Sequence, residues 1–338
     1  MRRAETPSVP RPAAVTARPE QLVVRIGAGP PAHADSVGGK GASLDRLTRL
    51  GHAVPPAICV TGEAFRVQVD ATTARVPAAR EWLSRLPDEE SRRRLVEAFE
   101  ATPTVSRLRA AIDEAVRDLA RDLDRAIGGS AQSRGSQRLA IRSSALDEDG
   151  SVASFAGLHE TELGRVPEEV EGAIRRCWAS LWSPPAMAYR ARRGLECGGA
   201  RMAVVIQALV PAEASAVVFT RHPVTGRDDR VLVTAIRGLG EPMVSGMATP
   251  DTITVDRESR AVVERDPGLP GPRLFLGSDG LAEIPDPATG PALDDRALDE
   301  LVKLAIAVDA AYGQRVDIEA AWAAGRWLLL QARPITTR

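Results

Sequence analysis

The C-terminal part of the chain contains a stretch in which apolar and polar residues alternate on both sides of a tight turn. Residues 316–336 form this stretch, and the turn is predicted at Ala324-Gly325-Arg326. Alternation with a period of two is typical of β-strands that have one buried face. We therefore predict a β-hairpin. Its midpoint constrains the fold strongly, because it determines which residues face each other and which face is buried.

With residue 325 as the midpoint, Glu319 faces Gln331 and Asp317 faces Arg333. Side chains two residues apart share a face of a strand, and directly opposed Cβ atoms lie about 4.5–5.5 Å apart. One face thus gathers two carboxylates, an amide oxygen and a guanidinium. The other face, predicted to point toward a core, carries Ile318, Leu330 and Ala332.

This polar face allows two interpretations. Mg²⁺ prefers one or two carboxylates together with phosphate oxygens, and a guanidinium binds phosphate well. The same pattern is also typical of a solvated outer face that carries a cross-strand ion pair. The hairpin by itself leaves both interpretations open.

Length and charge bound the class of protein. The chain has 338 residues, 44% of them hydrophobic, which is enough for two or three lobes of ordinary size. Its net charge of −1 gives no overall field to attract nucleic acid or an anionic membrane. No apolar run approaches the ~18 residues that span a bilayer. Three scattered cysteines without metal-binding spacing favour a reducing, cytoplasmic location.

The first twenty residues differ in composition from the rest. Residues 1–20 hold four prolines and four arginines and no apolar segment, which excludes a secretory signal. Their Arg-rich, acid-poor character is weakly like a transit peptide. A disordered tail is the better interpretation.

A glycine-rich turn and a strand-end arginine are candidates for binding phosphate. Residues 38–41 read Gly-Gly-Lys-Gly before a predicted helix over 42–50, so backbone N–H groups there can approach an anion beneath Lys40. Arg142 ends a predicted strand over 138–142, and a loop of small residues follows it. The alternatives are a plain helix-entry turn with a surface lysine, and an arginine paired with Asp147 or Glu148.

Two further segments are predicted less specifically. Gln207 stands near the end of an otherwise apolar strand over 202–210, where its amide would contact a ligand or bond to the backbone. Residues 266–291 are rich in proline and glycine and are predicted to form an extended surface connection.

Taken together, these segments resemble the N-terminal nucleotide-binding domain of phosphoenolpyruvate synthase and pyruvate, phosphate dikinase. Rifampicin phosphotransferase has a similar domain. The resemblance covers about residues 22–337 and is carried by motifs that occur in the family order: 37–44, 54–57, 141–145, 153–157, 177–181, 202–207, 219–226, 238–241, 249–252, 317–319 and 330–335. Many collinear motifs are far more specific than any one of them.

The resemblance implies an α+β fold of the ATP-grasp type, with two lobes that hold ATP in the cleft between them. The lobes would comprise residues 21–200 and 201–338. ATP and Mg²⁺ are the implied cofactors. The implied roles are phosphate contacts for Lys40 and Arg142, a flexible loop over the phosphates for Gly157 and Thr161, the adenine-contacting strand for Gln207, magnesium ligands for Glu319 and Gln331, and a last phosphate contact for Arg333.

The chain departs from the family pattern at a few positions. His222 stands where asparagine is usual, and Ala216 replaces a usual glycine. Leu158-His159 replaces a pair that usually contains glutamine, and Arg237 stands where an aromatic residue is common. None of these changes removes a phosphate or metal contact that the resemblance implies.

The family enzymes continue into a swivelling domain with a phosphorylated histidine and then an acceptor domain. The four histidines of this chain, none in the family's Thr-Ser-His context, are His33, His52, His159 and His222. The resemblance therefore implies that ATP is cleaved to AMP and phosphate, with a phosphoryl group passed to a phosphohistidine domain on a separate chain. The alternatives are a stand-alone kinase or ligase with a small-molecule acceptor, and a non-catalytic nucleotide-binding scaffold.

Overall fold

A computed structural model gives the fold of most of the chain. The described residues are 21–84, 88–127, 138–146, 161–194, 199–269, 271–277, 279–285 and 290–335. The predicted N-terminal tail, residues 1–20, lies outside them. Among the described residues, no helix has both the length and the apolar character that crossing a membrane requires.

Five antiparallel strands form the first sheet, in the order β1-β2-β5-β3-β4. Their bounds are β1 Val23–Arg25, β2 Ala57–Val60, β3 Leu139–Ala145, β4 Thr161–Arg165 and β5 Met202–Ala208. The associated helices are α1 Ala34–Arg49, α2 Gly62–Arg75, α3 Ala79–Ser84, α4 Glu89–Ala101, α5 Ser106–Ile127, α6 Val170–Ala179 and α7 Pro184–Arg193.

Alternation along the buried strands divides the helices between the two faces of this sheet. Ile58 and Val60 of β2 pack in one core with α2, α4, α5 and α6. Cys59, between them in sequence, faces the opposite side and packs in a separate core with Leu44 of α1. Helix α1 therefore packs on the second face, which also carries Val205 of β5.

Six antiparallel strands form the second sheet, in the order β13-β12-β6-β7-β8-β9. Their bounds are β6 Ala214–Phe219, β7 Arg230–Arg237, β8 Asp251–Asp256, β9 Val262–Asp266, β12 Val316–Ala323 and β13 Arg326–Pro334. The short helix α8, Glu241–Val244, follows β7, and the long helix α9, Asp295–Tyr312, precedes β12. The apolar stripe of α9, which includes Leu298 and Leu301, packs against this sheet. The α+β class is thus confirmed.

The prediction of an extended connection over 266–291 was wrong. Two strands, β10 Pro272–Gly277 and β11 Gly280–Pro285, form a separate hairpin there. Glycines stand at the turn and prolines at the open end, because Gly277 pairs with Gly280 and Pro272 pairs with Pro285. The residues that break regular structure thus lie only at the two ends of the hairpin, and composition alone conceals the strands between them.

Helix α1 contacts both sheets. The Ser43 hydroxyl donates to the carbonyl of Ala332 in β13 and accepts from the Ala332 N–H at 3.1 Å. Leu329 of the same strand donates its N–H to the carbonyl of Ala53, just beyond the helix, at 2.8 Å. Strand β13 is an edge strand of the second sheet. Helix α1 and the turn after it therefore provide partners for some backbone groups on the edge of β13 that does not pair with β12.

Candidate functional site

The polar end of the terminal hairpin has the predicted register. Asp317 pairs with Arg333, and Glu319 pairs with Gln331. The Arg333 Nε donates to both Asp317 oxygens, at 2.9 and 2.7 Å. On the opposite face, Ile318 is buried in the core of the second sheet, as predicted.

The predicted turn of the hairpin was wrong, and an irregularity farther along the strands cancels its effect on the polar end. The turn has two residues, Ala324 and Gly325, with φ of +50° and +72°, instead of three. Trp322 consequently pairs with Trp327, one residue out of the predicted register. A β-bulge at Glu319 restores that register.

The bulge also changes the side to which one side chain points. Gln331 pairs with Glu319 and Leu329 pairs with Ala320, so Leu330 is the extra residue. Leu330 was predicted to share the core face of Ile318. It packs instead in an apolar cluster with buried Leu209, on the side of the sheet that carries the polar residues.

Arg142 of β3 connects the first sheet to this polar face. It donates from Nη2 to Glu319 Oε2 at 2.6 Å and to Gln331 Oε1 at 3.1 Å, and from Nη1 to the carbonyl of Leu330 at 3.1 Å. Side-chain exposure is 13% for Arg142 and 34% for Glu319, so the ion pair is largely shielded from water. The sequence did not reveal this partner, because 177 residues separate the two members of the pair.

The glycine-rich turn that carries Lys40 lies against the end of β3. Helix α1 begins at Ala34, earlier than predicted, and has a kink at Gly38, where φ is +68°. The fully buried Ser144 donates its hydroxyl to the carbonyl of Val37 at 2.7 Å and accepts from the Gly41 N–H at 3.2 Å. Ser144 therefore holds the turn two residues from Arg142. Sequence reasoning missed this serine, although it stands two residues after Arg142 in the 141–145 motif.

The two carboxylates of the face have different environments. Burial opposes ionisation of Glu319, but the charges of Arg142, Lys40 and Arg333 outweigh it and hold the pKa of Glu319 below its usual range. Burial raises the pKa of Asp317 to about 6, against the opposing effect of Arg333 and with a smaller contribution from Glu319. Glu319 is therefore the more acidic of the two carboxyl groups, and the charge of Lys40 contributes to its lowered pKa.

Three other predicted site residues have different placements. Gly157 lies outside the described residues. Thr161 was predicted in a flexible loop, but it is the exposed first residue of β4, paired with Arg142 of β3. Gln207 is buried in β5 and donates its amide to the carbonyl of Pro55 at 3.4 Å, which is the backbone-bonded alternative. Contacts of these residues with a nucleotide stay predictions.

An apolar cluster adjoins the polar face between the two sheets. It includes Ala140, two residues before Arg142, and Ala321, two residues after Glu319. The partly buried members of the cluster are Leu163, Leu274, Leu276, Leu328 and Leu330. An apolar surface beside a cationic and carboxylate face is the arrangement that a planar base with attached phosphates requires.

Glu319 and Gln331 have the chemistry and orientation to hold Mg²⁺. Their oxygens lie on directly opposed positions of adjacent strands and point to one place, since both accept from the same Arg142 nitrogen. The described part of the chain has no group of three or more His, Cys, Asp or Glu side chains able to hold a metal. Water and phosphate oxygens would complete the coordination, as is usual for Mg²⁺.

The departure at His222 has a structural explanation. Its Nδ1 accepts from the backbone N–H of Val224 at 3.3 Å and of Thr225 at 3.2 Å. An asparagine side-chain oxygen makes the same kind of turn-closing bond. Leu158 and His159 lie outside the described residues, while Ala216 is buried in mid-sheet and Arg237 donates to the carbonyl of Pro291 at 3.0 Å.

We expect His222→Asn to keep the free energy of unfolding within about 0.5 kcal/mol of the native value, because the turn keeps its acceptor. His222→Ala removes the acceptor and should cost about 1 kcal/mol. Denaturant unfolding of the two variants and the native chain measures the difference. Equal losses for both variants would contradict the assigned role of the imidazole nitrogen.

An α+β fold with a cationic and carboxylate face fits a nucleotide-binding domain. The chain belongs to the family described as pyruvate phosphate dikinase, AMP/ATP-binding domain, whose model matches residues 34–338. The family resemblance inferred from the motifs is thereby confirmed.

Individual relatives include both synthases and transferases. A probable phosphoenolpyruvate synthase of Methanocaldococcus jannaschii is 34% identical over 90% of this chain and 26% of its own length. Rifampicin phosphotransferase of Streptomyces sviceus is 38% identical over 89% of the chain and 34% of its own length. The prodigiosin synthesizing transferase PigC of Serratia marcescens is 34% identical over 94% of the chain and 33% of its own length. The chain thus spans about a quarter to a third of these relatives.

Proposed function

We propose that the chain binds ATP·Mg²⁺ between its two sheets and takes part in phosphoryl transfer, as an ATP-grasp domain with lobes 21–200 and 201–338. One observation above all supports this proposal. Arg142 of the first sheet donates to Glu319 and Gln331 of the second, next to the apolar cluster. Phosphoryl transfer depends mainly on positioning and on neutralising charge, and this arrangement offers both.

The proposed roles follow from the chemistry of each side chain. Lys40, Arg142 and Arg333 would neutralise phosphate oxygens, and Glu319 and Gln331 would hold Mg²⁺, which when bound supplies further charge neutralisation. The adenine would lie on the apolar cluster near Gln207. Gly157 and Thr161 would contact the phosphates, Thr161 from the start of β4 beside Arg142.

The reaction we propose converts ATP, water and an acceptor into AMP, inorganic phosphate and a phosphorylated acceptor. The acceptor would be a histidine on a separate phosphohistidine domain. The similarity of this chain to phosphoenolpyruvate synthases supports that proposal. A small-molecule acceptor is the second candidate, because one relative is named for phosphoryl transfer to rifampicin.

Titration calorimetry tests nucleotide binding. We expect ATP·Mg²⁺ to bind with a dissociation constant below about 1 mM, in the usual range for enzyme substrates. Lys40→Met should weaken binding at least about tenfold, because one phosphate contact with a full charge is lost. A native chain that gives no binding heat at millimolar ATP·Mg²⁺ would contradict the proposed function.

Phosphorus NMR of the products, with a candidate partner present, tests the reaction. AMP and phosphate are expected, and label from β-labelled ATP should reach the partner and be lost when its histidine is replaced. ADP as the sole nucleotide product would instead indicate an ordinary kinase or ligase. Label on a small molecule without any partner protein would contradict the two-chain arrangement.

A further inference from the structure

The contacts of Arg142 place a cation between the two proposed magnesium ligands. Its guanidinium donates to three oxygens: Glu319 Oε2 at 2.6 Å, Gln331 Oε1 at 3.1 Å and the Leu330 carbonyl at 3.1 Å. A guanidinium keeps its charge at every pH that a folded protein meets. The bond to Glu319 is charge-assisted and short, the stronger kind of hydrogen bond. The oxygens that suit a metal ion are therefore already bound by a side chain.

Mg²⁺ and this guanidinium make incompatible demands on the same oxygens. Mg²⁺ requires ligand oxygens at about 2.0–2.1 Å in nearly ideal octahedral geometry, and it loses water reluctantly. The Arg142 Nη2 donates to both Glu319 and Gln331, so it stands between them. A metal ion there would meet a like charge within a few ångströms, in a place where exposure of the Arg142 side chain is only 13%.

We propose that Arg142 acts as a built-in placeholder cation, which excludes free Mg²⁺ from Glu319 and Gln331 until nucleotide phosphates draw the guanidinium away. The proposal rests on the proposed function of this site. Phosphate offers the guanidinium a bidentate, charge-assisted partner in exchange for the carboxylate. The backbone of Arg142 stays paired with Val205 of β5 and Thr161 of β4, so only its side chain has to move.

The consequence is conditional metal binding. If nucleotide must displace Arg142 before the metal binds to the protein, then metal and nucleotide each raise the affinity of the protein for the other by the same factor. The other cations nearby act on Glu319 through their charges. Arg333 donates through its Nε to Asp317, and Lys40 acts on Glu319 through its charge.

Electron paramagnetic resonance of Mn²⁺, used as a probe for Mg²⁺, tests the proposal in nucleotide-free protein. Arg142→Met removes the guanidinium but keeps an unbranched apolar stem, and we expect it to bind Mn²⁺ at least about tenfold more tightly than the native chain. Lys40→Met is the charge-matched control. It removes one positive charge near Glu319 but leaves the guanidinium in place, so its affinity should rise threefold at most.

A second substitution checks that the new metal site is the predicted one. In the Arg142→Met background, Glu319→Gln should abolish the gain in Mn²⁺ affinity. Thermal unfolding of each variant shows whether the protein is folded during the measurement. The proposal is overturned if the gain survives Glu319→Gln, or if Lys40→Met raises the affinity as much as Arg142→Met does.

The native chain gives an independent result if Arg142→Met fails to fold. Nucleotide-free native protein and its Glu319→Gln variant should bind Mn²⁺ equally weakly, because Arg142 blocks the site in the native chain. A Mn²⁺ site in the native chain that Glu319→Gln removes would overturn the proposal. Failure of the proposed function is distinguishable, because it would appear as absent ATP·Mg²⁺ binding in calorimetry, whereas these Mn²⁺ measurements use no nucleotide.

Discussion

Replacing Glu319 with alanine is expected to lower Mg²⁺-dependent phosphoryl transfer by about 10²-fold or more, the scale of losing one group that stabilises charge in a transition state. Glu319 supplies the only carboxylate in the proposed pair of metal ligands, and its partner Gln331 is neutral. The free energy of unfolding should fall by about 1–3 kcal/mol as well, because the shielded Arg142 guanidinium loses its carboxylate partner and keeps only its bonds to Gln331 and the Leu330 carbonyl.

Phosphorus NMR of nucleotide turnover with and without MgCl₂, and thermal unfolding of the apo protein, measure the two effects separately. Glu97→Ala is a suitable control, because this exposed glutamate belongs to α4, which packs on the face of the first sheet opposite α1. Its loss should leave turnover unchanged and the free energy of unfolding within about 0.5 kcal/mol of the native value. Turnover that keeps its Mg²⁺ dependence in Glu319→Ala would remove Glu319 from the metal site.

Replacing Gly38 with alanine is expected to destabilise the protein by roughly 2–6 kcal/mol. Two costs add: the extended backbone conformation with positive φ costs a non-glycine residue about 1–3 kcal/mol, and forcing an extra carbon into a packed site costs about 1–3 kcal/mol. The φ at Gly38 is +68°, and an added Cβ would lie 2.2 Å from the Ser144 carbonyl oxygen. Because this clash moves the Lys40 turn away from β3, ATP binding should weaken as well.

Gly51→Ala is the matched control. Its φ is +82°, but nothing lies within 4 Å of the added Cβ, so it carries the backbone strain without the clash. Urea unfolding of the two variants should therefore differ by about 1–3 kcal/mol, the part due to overpacking. Equal losses would show that the contact between Gly38 and Ser144 contributes nothing beyond glycine conformation.

Local pattern predicted the terminal hairpin well at its polar end and poorly at its turn. Alternation identifies which residues share a face, so Asp317 and Arg333 were paired correctly. It does not distinguish a two-residue turn from a three-residue one. The Ala324-Gly325 turn and the bulge at Glu319 compensate for each other, while β12 pairs with β6 without a register shift.

The sequence by itself predicted the α+β class, the family, the residues of the candidate site and two cross-strand pairs, Asp317 with Arg333 and Glu319 with Gln331. Periodicity, turn residues and collinear motifs carry that information, because each depends on residues close together in the chain. The sequence did not reveal the hairpin β10–β11, whose Gly and Pro residues indicated a loop.

Tertiary structure alone decided the contacts between distant segments. Three sets of hydrogen bonds join residues that lie 103 to 289 positions apart. They link Arg142 to Glu319, Ser144 to the turn that carries Lys40, and Ser43 to Ala332. No local preference specifies such contacts. They form because packing helix α1 between the two sheets brings those backbones together, and buried polar groups must then find partners at that distance.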